Sequence, residues 1–428
     1  MRKTTSFSFW LIISLVLVTV GSQAQTSIKS PYSRYGIGEL YSYNSQSGMA
    51  MGGINAASRS QWFVNPLNPA SYTAFDSASF VFDGALYSKL STFKTDSITQ
   101  PSNYASIAYI TMGFPVTRWW RASMGITPFS SVGYTINNYQ SVEGFGNTCF
   151  QFEGSGGLSR FYIGSGFKLF RDLSAGINFS YLFGSIDKTR NIIFPDSAYI
   201  FSARYSDNSN IKGVYLDAGL QYHHNFDNGR FINAGFTYAP RQSLHGTRDL
   251  LAVSYAYDYT TGLDEIRDTI DFQTGASGKI RLPQSIGGGI SLGNSDRWTA
   301  GADIRWEEWS SYSYFSKSDS LQNSLTFSAG GQYRPSSSDI SSYWKRITYR
   351  AGIRFGQSYL YLNNKHINEF GISFGFGLPM KKTKSTLNLA FEAGGKGTIT
   401  NNLIRENYFR FSVGASLFDR WFLKRKYD

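Results

Sequence analysis

The chain has 428 residues, among them 43 Gly, 34 Phe and 29 Tyr, and only 16% of its residues are charged. A single cysteine excludes a disulfide framework and a cysteine-based metal centre, and four histidines make a metal cluster a poor expectation. The net charge of +12 comes without a basic groove motif, so the cations read better as partners of lipid phosphate than of nucleic acid.

The first 24 residues read as a secretory leader. Arg2 and Lys3 precede an apolar run from Phe7 to Val20, and Ser22-Gln23-Ala24 forms a cleavage site before Gln25. The run is short of the ~20 residues that a spanning helix needs. Export with cleavage after Ala24, and no helical anchor, is the expectation. Residues 25–76 lack strand alternation. Met51, Gly52 and Gly53, then Asn65, Pro66, Asn68, Pro69 and Ala70, form a knot in which two X-Pro bonds and several glycines favour compact turns over a helix or ladder. A small plug ahead of a closed sheet is expected there, with a disordered leader as the alternative.

From Ser79 onward the pattern changes to period 2. Leu173, Ala175, Ile177, Phe179, Tyr181 and Phe183 share one face, opposite Ser174, Gly176, Asn178 and Ser180. Trp298, Ala300, Ala302, Ile304 and Trp306 repeat the pattern, as do Phe409, Phe411, Val413 and Ala415. Strands are predicted at about 79–90, 104–115, 119–134, 156–169, 173–191, 211–225, 230–243, 281–292, 297–310, 324–334, 346–360, 367–379, 385–398 and 407–417. Most gaps at one end are tight, such as Thr117-Arg118, whereas the other end carries long loops at 135–155, 192–210 and 244–280. Tight turns on one side and long loops on the other mark an outer-membrane barrel. The fold class is therefore all-β, a 14-stranded antiparallel transmembrane β-barrel over 77–417, with a hatch at 25–76 in its lumen and a basic periplasmic tail at 418–428. Trp119, Trp120 and Arg121, and Trp344, Lys345 and Arg346, suit a lipid interface on the short-turn side, which is expected to be periplasmic.

Inward positions of the later strands carry Asp303, Arg305, Glu307, Arg350, Arg354, Glu369, Glu392 and Arg410. Such charges must be paired or hydrated, so they either grip the hatch or line water. The second strand is apolar on both faces, with Ala105, Ile107 and Tyr109 against Ala108, Ile110 and Met112, and is the place for an apolar lumen patch. In the third strand Pro128 cannot donate to a ladder, and Gly125 before it adds freedom. Pro128 either breaks the wall in mid-strand or merely marks the strand's outer end. Gly287-Gly288-Gly289 makes a bulge or gives room to the hatch. His223 and His224 are adjacent on a strand and face opposite ways, which excludes joint ligation. His245 with Asp249, and His366 with Glu369, fall in outer regions, and Cys149 falls in a predicted outer loop. No hydrolase elbow, zincin motif or phosphate loop is present, so no catalytic residue, metal or cofactor is expected.

Three stretches resemble the FadL-type outer-membrane transporter superfamily, which includes the PorV-like barrels. They are Met51-Gly52-Gly53 with Asn68-Pro69-Ala70, Leu282-Pro283-Gln284-Ser285-Ile286-Gly287 with Trp298, Asp303 and Trp306 to Ser310, and Thr127-Pro128-Phe129. The resemblance implies a lumenal hatch, fourteen strands and passage of a hydrophobic small molecule that leaves sideways through a gap at Gly125, Pro128 and Phe129. Transport is the leading expectation, and the alternative is a non-transporting barrel that serves as subunit or docking partner of an outer-membrane secretion or assembly complex, as the PorV-like members imply. The charged lumen and the 244–280 loop with Tyr255, Tyr257 and Tyr259 favour that alternative. The implied partners are outer-membrane lipid, a hydrophobic small molecule or a protein complex, and the assembly machinery that reads the C-terminal strand; nucleic acid is not among them.

Overall fold

The structure, a computed structural model, describes residues 30–41, 45–196, 200–258, 263–294, 297–338, 340–381 and 383–420. The predicted leader and most of the basic tail lie outside these residues. Among the described residues, fourteen strands close one antiparallel sheet on itself. They are β1 (Ser79–Lys94), β2 (Thr99–Pro115), β3 (Trp120–Val142), β4 (Gly146–Lys168), β5 (Leu173–Ile193), β6 (Ser202–Asn225), β7 (Arg230–Ala239 and Gln242–Asp258), β8 (Leu263–Leu282 and Ser285–Asn294), β9 (Trp298–Glu307), β10 (Ser324–Tyr333), β11 (Thr348–Leu362), β12 (Lys365–Pro379), β13 (Thr386–Gly397) and β14 (Arg405–Arg420). Closure comes from β14 against β1, from Arg405↔Lys94 to Arg420↔Ser79. The last strand thus runs three residues into the stretch assigned to the tail.

Alternation places a girdle of large apolar side chains on the outside, among them Leu86, Ile177, Phe179, Ile290, Phe327, Ile353 and Phe374, all exposed. An outward apolar band around a closed ladder is what lipid requires, because closure leaves no backbone group without a partner.

The described residues of the stretches 135–155, 192–210 and 244–280 are mostly strand rather than loop. Paired hairpins fill them: Tyr134↔Gly154 to Val142↔Gly146, Asp187↔Asn208 to Ile192↔Ala203, and Ser243↔Arg281 to Asp258↔Leu263. β3 to β8 therefore rise as one continuous wall beyond the girdle, while β9 ends at Glu307 and β10 starts at Ser324. The lipid-facing apolar side is lost in the raised part, because the outer face meets water beyond the membrane while the inner face keeps buried residues such as Leu244 and Ile280. Tyr255 is buried rather than displayed, with the Arg204 guanidinium 4.5 Å above its ring; Tyr259 and the side chain of Tyr257 lie outside the described residues. Cys149 likewise lies buried in β4, not in a loop.

Two prolines divide the membrane part of the wall from the raised part. β7 breaks at Pro240-Arg241 and β8 beside it at Pro283-Gln284, since proline brings no N–H to a ladder. The Leu-Pro-x-Ser stretch is thus a mid-wall break. The β6–β7 ladder skips the residues between Lys212 and Ala218, and the side chain of Gln242 stands in for a peptide there. Its Oε1 accepts from Leu216 N at 2.6 Å and its Nε2 donates to Leu216 O at 2.9 Å. Gln242→Leu should leave both groups of Leu216 unpaired and cost about 1–3 kcal/mol for each. The temperature at which the barrel loses its compact gel mobility should fall accordingly; an unchanged midpoint would refute this account.

Candidate functional site

Residues 30–41 and 45–75 lie inside the ring of strands and bond to it on every side. The segment carries two 3₁₀ turns, Pro31–Arg34 and Pro69–Ala74, and a short helix, α1 (Gln46–Ala50), capped by the Ser45 hydroxyl on Gly48 N at 3.0 Å. Inward glycines let backbone meet backbone. Met51 packs directly against Gly330 and Gly352, and a Cβ on Gly52, which has φ +73°, would come 2.5 Å from Ile353 O. Ala70 N would stand 2.5 Å from a Cβ on Gly176. In the triple glycine there is no bulge; Gly289 leaves room for the Asp303 carboxylate.

The knot residues make their bonds in two groups. Gly52 N donates to Ser373 Oγ at 2.8 Å, and Asp303 Oδ2 accepts from Asn55 N and from Ala56 N, the latter at 2.6 Å. Asn65 Nδ2 donates to Asn55 O at 2.8 Å, and Asn68 Nδ2 to Ala56 O at 2.6 Å. Asn68 Oδ1 also caps the 3₁₀ turn at Ala70 N, 3.1 Å away. Asn178 of β5 donates to Pro66 O at 2.9 Å and accepts from the Tyr72 hydroxyl at 2.8 Å. Behind Asn178 stands an ion pair that sequence reasoning missed, Arg160–Asp217 at 2.5 Å.

A larger charge lattice runs through the later strands. Arg354 contacts Glu369 at 2.5 Å and Glu392 at 3.2 Å, and Arg410 contacts Glu392 at 3.1 Å. Arg350 donates to Asn388 Oδ1 at 3.0 Å, while Glu307 accepts from Trp309 Nε1 at 3.0 Å and Ser324 Oγ at 3.1 Å. Arg305 lines the cavity beside them. The lattice continues through residues not foreseen: Lys89 reaches Glu406 at 2.7 Å and Glu39 of the inner segment at 3.2 Å. Their signal was available, since Lys89 lies on the inward face of β1 between Tyr87 and Ser91. Beyond the lattice, towards the long hairpins, an apolar cluster of Tyr32, Ile37, Trp309, Tyr312 and Leu321 with Val132, Ile186 and Leu244 fills the lumen.

Two cavities flank the segment. One of ≈ 120 Å³ is lined by Tyr41, Tyr104 and Met49 but also by Glu39, Arg354, Lys396 and Arg410. The other, of ≈ 180 Å³, is lined by Pro128 and Phe129 with Arg160, Asp217, Arg305 and Glu307. Their size would suit a small aromatic compound, since a dry apolar cavity of about 150 Å³ holds benzene. Their charged lining suits water instead.

Among the described residues the wall is parted at a seam between β2 and β3. β2 pairs with β3 only from Pro115↔Arg121 to Ile110↔Ile126. At the last rungs the strands lie so close that a Cβ on Gly125 would stand 2.6 Å from Ile110 O. Beyond them each strand carries a register shift, one in β2 at Ala108 and one in β3 between Pro128 and Ser130. A bulge bends its strand and ends pairing locally, so two of them flanking Pro128 part the strands. The bulge also explains why β2 looked apolar on both faces: Tyr109 is buried inside while Ile107 and Ile110 point out. On the lumen side of the seam the inner segment pairs with β3, through Leu40↔Ser130 and Glu39↔Ser131 and through Tyr41 N to Phe129 O at 3.1 Å.

The histidines do not assemble a site. His223 meets Asn233 at 2.5 Å and His224 meets Asp172 at 2.7 Å. His366 contacts Gln357 at 3.1 Å rather than Glu369, and Asp249 accepts from Gly275 N at 2.7 Å. Among the described residues no group of three His, Cys, Asp or Glu could hold a metal.

Burial pushes the pKa of Glu39 up, but the ammonium groups of Lys89 and Lys396 outweigh it and hold the carboxyl below its usual range. A carboxylate with a lowered folded pKa contributes stability above its unfolded pKa and loses it as the pH falls through the folded one. Protection of residues 30–41 against hydrogen exchange, taken relative to the intrinsic amide rate at each pH, should therefore be high at neutral pH and fall once the pH drops below about 4. Glu39→Gln should lower that protection at neutral pH, and equal protection in both proteins would overturn the assignment. Glu392→Gln, which strips two arginines of a buried partner, should cost about 3–5 kcal/mol in unfolding experiments.

A family model described as BamG matches residues 3–428. No curated protein sequence matches the chain. Solved structures similar to it include a Pseudomonas aeruginosa FadL homologue, at 16% identity and TM-score 0.60 over 87% of this chain and 98% of that one. The Pseudomonas putida toluene transporter TodX matches at 17% identity and TM-score 0.59, over 90% of this chain and 100% of that one. The monoaromatic hydrocarbon channel CymD matches at 15% identity and TM-score 0.55, over 92% of this chain and 100% of that one. At such identities the likeness carries the fold alone, a fourteen-stranded barrel like those of the FadL-type proteins.

Proposed function

The chain belongs to the BamG family, and on that premise we propose a barrel that passes nothing along its axis and serves as a docking subunit of an outer-membrane secretion or assembly complex. One observation carries this reading. The inner segment is bonded to the wall all the way round, from Lys89 in β1 and Asn178 in β5 to Asp303 in β9 and Ser373 in β12. Freeing it would break buried ion pairs and backbone bonds together, each costly on its own. In this proposal residues 1–24 are removed on export, 25–76 act as a fixed hatch and 77–420 form the barrel. Residues 421–428, with the short turns, face the periplasm. No step of the role calls for catalysis.

A second reading is supported by the seam beside Pro128. The structural relatives are named for toluene and monoaromatic hydrocarbons, and a hydrophobic compound could leave sideways between β2 and β3. The charged lining of both cavities weighs against it.

Purification of the tagged protein from native outer membranes in mild detergent, with proteins and extracted lipids identified by mass spectrometry, separates the two. A stoichiometric protein partner is the expected result. A lone barrel that carries a reproducible hydrophobic compound, lost in Gly125→Val and Pro128→Val, would overturn the docking role and establish lateral passage.

A further inference from the structure

We propose that Lys212, His245 and Lys279, side by side on the outer face of β6, β7 and β8, bind a phosphate of lipopolysaccharide, the sugar-headed lipid of the outer leaflet. Lipid binding here is independent of the docking role above.

The three residues form one rung of the sheet. Lys212 pairs with His245 and His245 pairs with Lys279, so neighbouring Cβ atoms stand about 5 Å apart on one face. Ile211, Leu244 and Ile280 beside them are buried in the lumen cluster, which turns the three side chains outward, where all are exposed. Like charges directly opposite one another destabilise a pair of strands, and nothing on the wall offsets them. One rung above stand Asn210, Thr247 and Ser277, and one rung below stand Val214, Ser243 and Arg281, the last a further cation. Among the described residues none of the three makes an ion pair or a side-chain hydrogen bond. The acids nearby are engaged elsewhere: Asp249, two rungs above, accepts from Gly275 N at 2.7 Å, and Glu308 accepts from Arg241 at 2.9 Å. A row of donors without an acceptor thus faces outward.

Its level in the wall identifies what it meets. On β6 the exposed apolar residues run from Tyr222 through Leu220 to Val214, about the 9–11 residues that a tilted strand needs to cross the hydrocarbon. Lys212 is the next outward residue. On β7 and β8 the girdle reaches Tyr238 and Ile286, and the row lies on the raised side of both proline breaks. It therefore stands among the lipid headgroups on the side of the long hairpins. With the short turns facing the periplasm, as proposed above, that is the outer leaflet. A phosphate there brings several acceptor oxygens, while two ammonium groups and an imidazole bring donors whichever tautomer the ring adopts. A phospholipid head would end at this row. The wall continues past it with Asn210, Thr247 and Ser277, whose small polar side chains suit sugar hydroxyls. Cationic row and polar strip together match a phosphate carried on a sugar.

The test purifies the full-length protein from its native outer membrane in mild detergent, with a chelator wash to strip lipid held through divalent cations. Bound lipid A and phospholipid are then measured by mass spectrometry. The unaltered protein should keep one lipopolysaccharide per barrel. Lys212→Gln and Lys279→Gln should each lower retention about fivefold, and the triple variant with His245→Gln should abolish it. Arg118→Gln, at an exposed cation on the short-turn side, should change nothing. Delipidated protein should take up added lipopolysaccharide but not the same lipid after phosphatase treatment. Phospholipid in its place, equal uptake of the phosphatase-treated lipid, undiminished retention by the triple variant, equal loss in Arg118→Gln, or no bound lipid in the unaltered protein would each overturn the proposal. The triple variant removes like charges from one rung, so in lipid-free detergent it should unfold at the same or a higher temperature. A lower one would show that these residues hold the wall together, and the proposal would fall.

Discussion

In a wall surrounded by lipid, every backbone N–H and C=O must find a partner within protein, and the architecture follows from that constraint. Closure of β14 on β1 satisfies most of the wall. Where prolines interrupt the ladder, Gln242 supplies a side-chain amide to Leu216 in place of a peptide. Where Pro128 and two bulges part β2 from β3, residues 39–41 of the inner segment take over the exposed side of β3. The inner segment is thus both the filling of the lumen and a piece of the wall.

The interior is layered along the axis. At the short-turn end Tyr72, Phe75, Val64, Val81 and Tyr162 pack together. In the middle the paired charges hold the segment, and beyond them Trp309, Tyr312 and Tyr32 seal the lumen. An ion-pair lattice in such a position gives positional specificity more readily than stability, because desolvation offsets much of its attraction. That fits an interior whose task is to keep one arrangement.

Much of this was legible in the sequence. Inside the membrane, alternation between a lipid face and a lumen face marks each strand, and all fourteen could be placed from it. Outside the membrane the outer face of β7 and β8 meets water and needs no apolar residues, so the alternation fades although Leu244 and Ile280 stay buried inside, and the raised wall read as a loop. The lumen charges on β9 to β14 were visible because they interrupt apolar, regular strands. Lys89 escaped notice among the small and aromatic residues of β1, and Asp217 and Arg160 lie in strands rich in polar residues. Pro128 was readable as a break, whereas the bulge at Ala108 was not, since a register slip in an apolar strand looks like two apolar faces.

The bonding of the inner segment also constrains how the molecule can be made. Residues 30–75 precede every barrel strand in the chain, yet Lys89 of β1 and Glu406 of β14 must both be present before Glu39 has its full setting. The segment's setting stays incomplete until the final strand arrives, and once β14 zips to β1 it has no exit. Barrel closure and the last of the segment's docking therefore fall together in a late step that joins chain ends far apart in sequence. Topologies with such distant contacts fold slowly. The half-closed sheet, with a loose N-terminal segment and two open edges, is the state that a folding helper in the membrane would have to shelter.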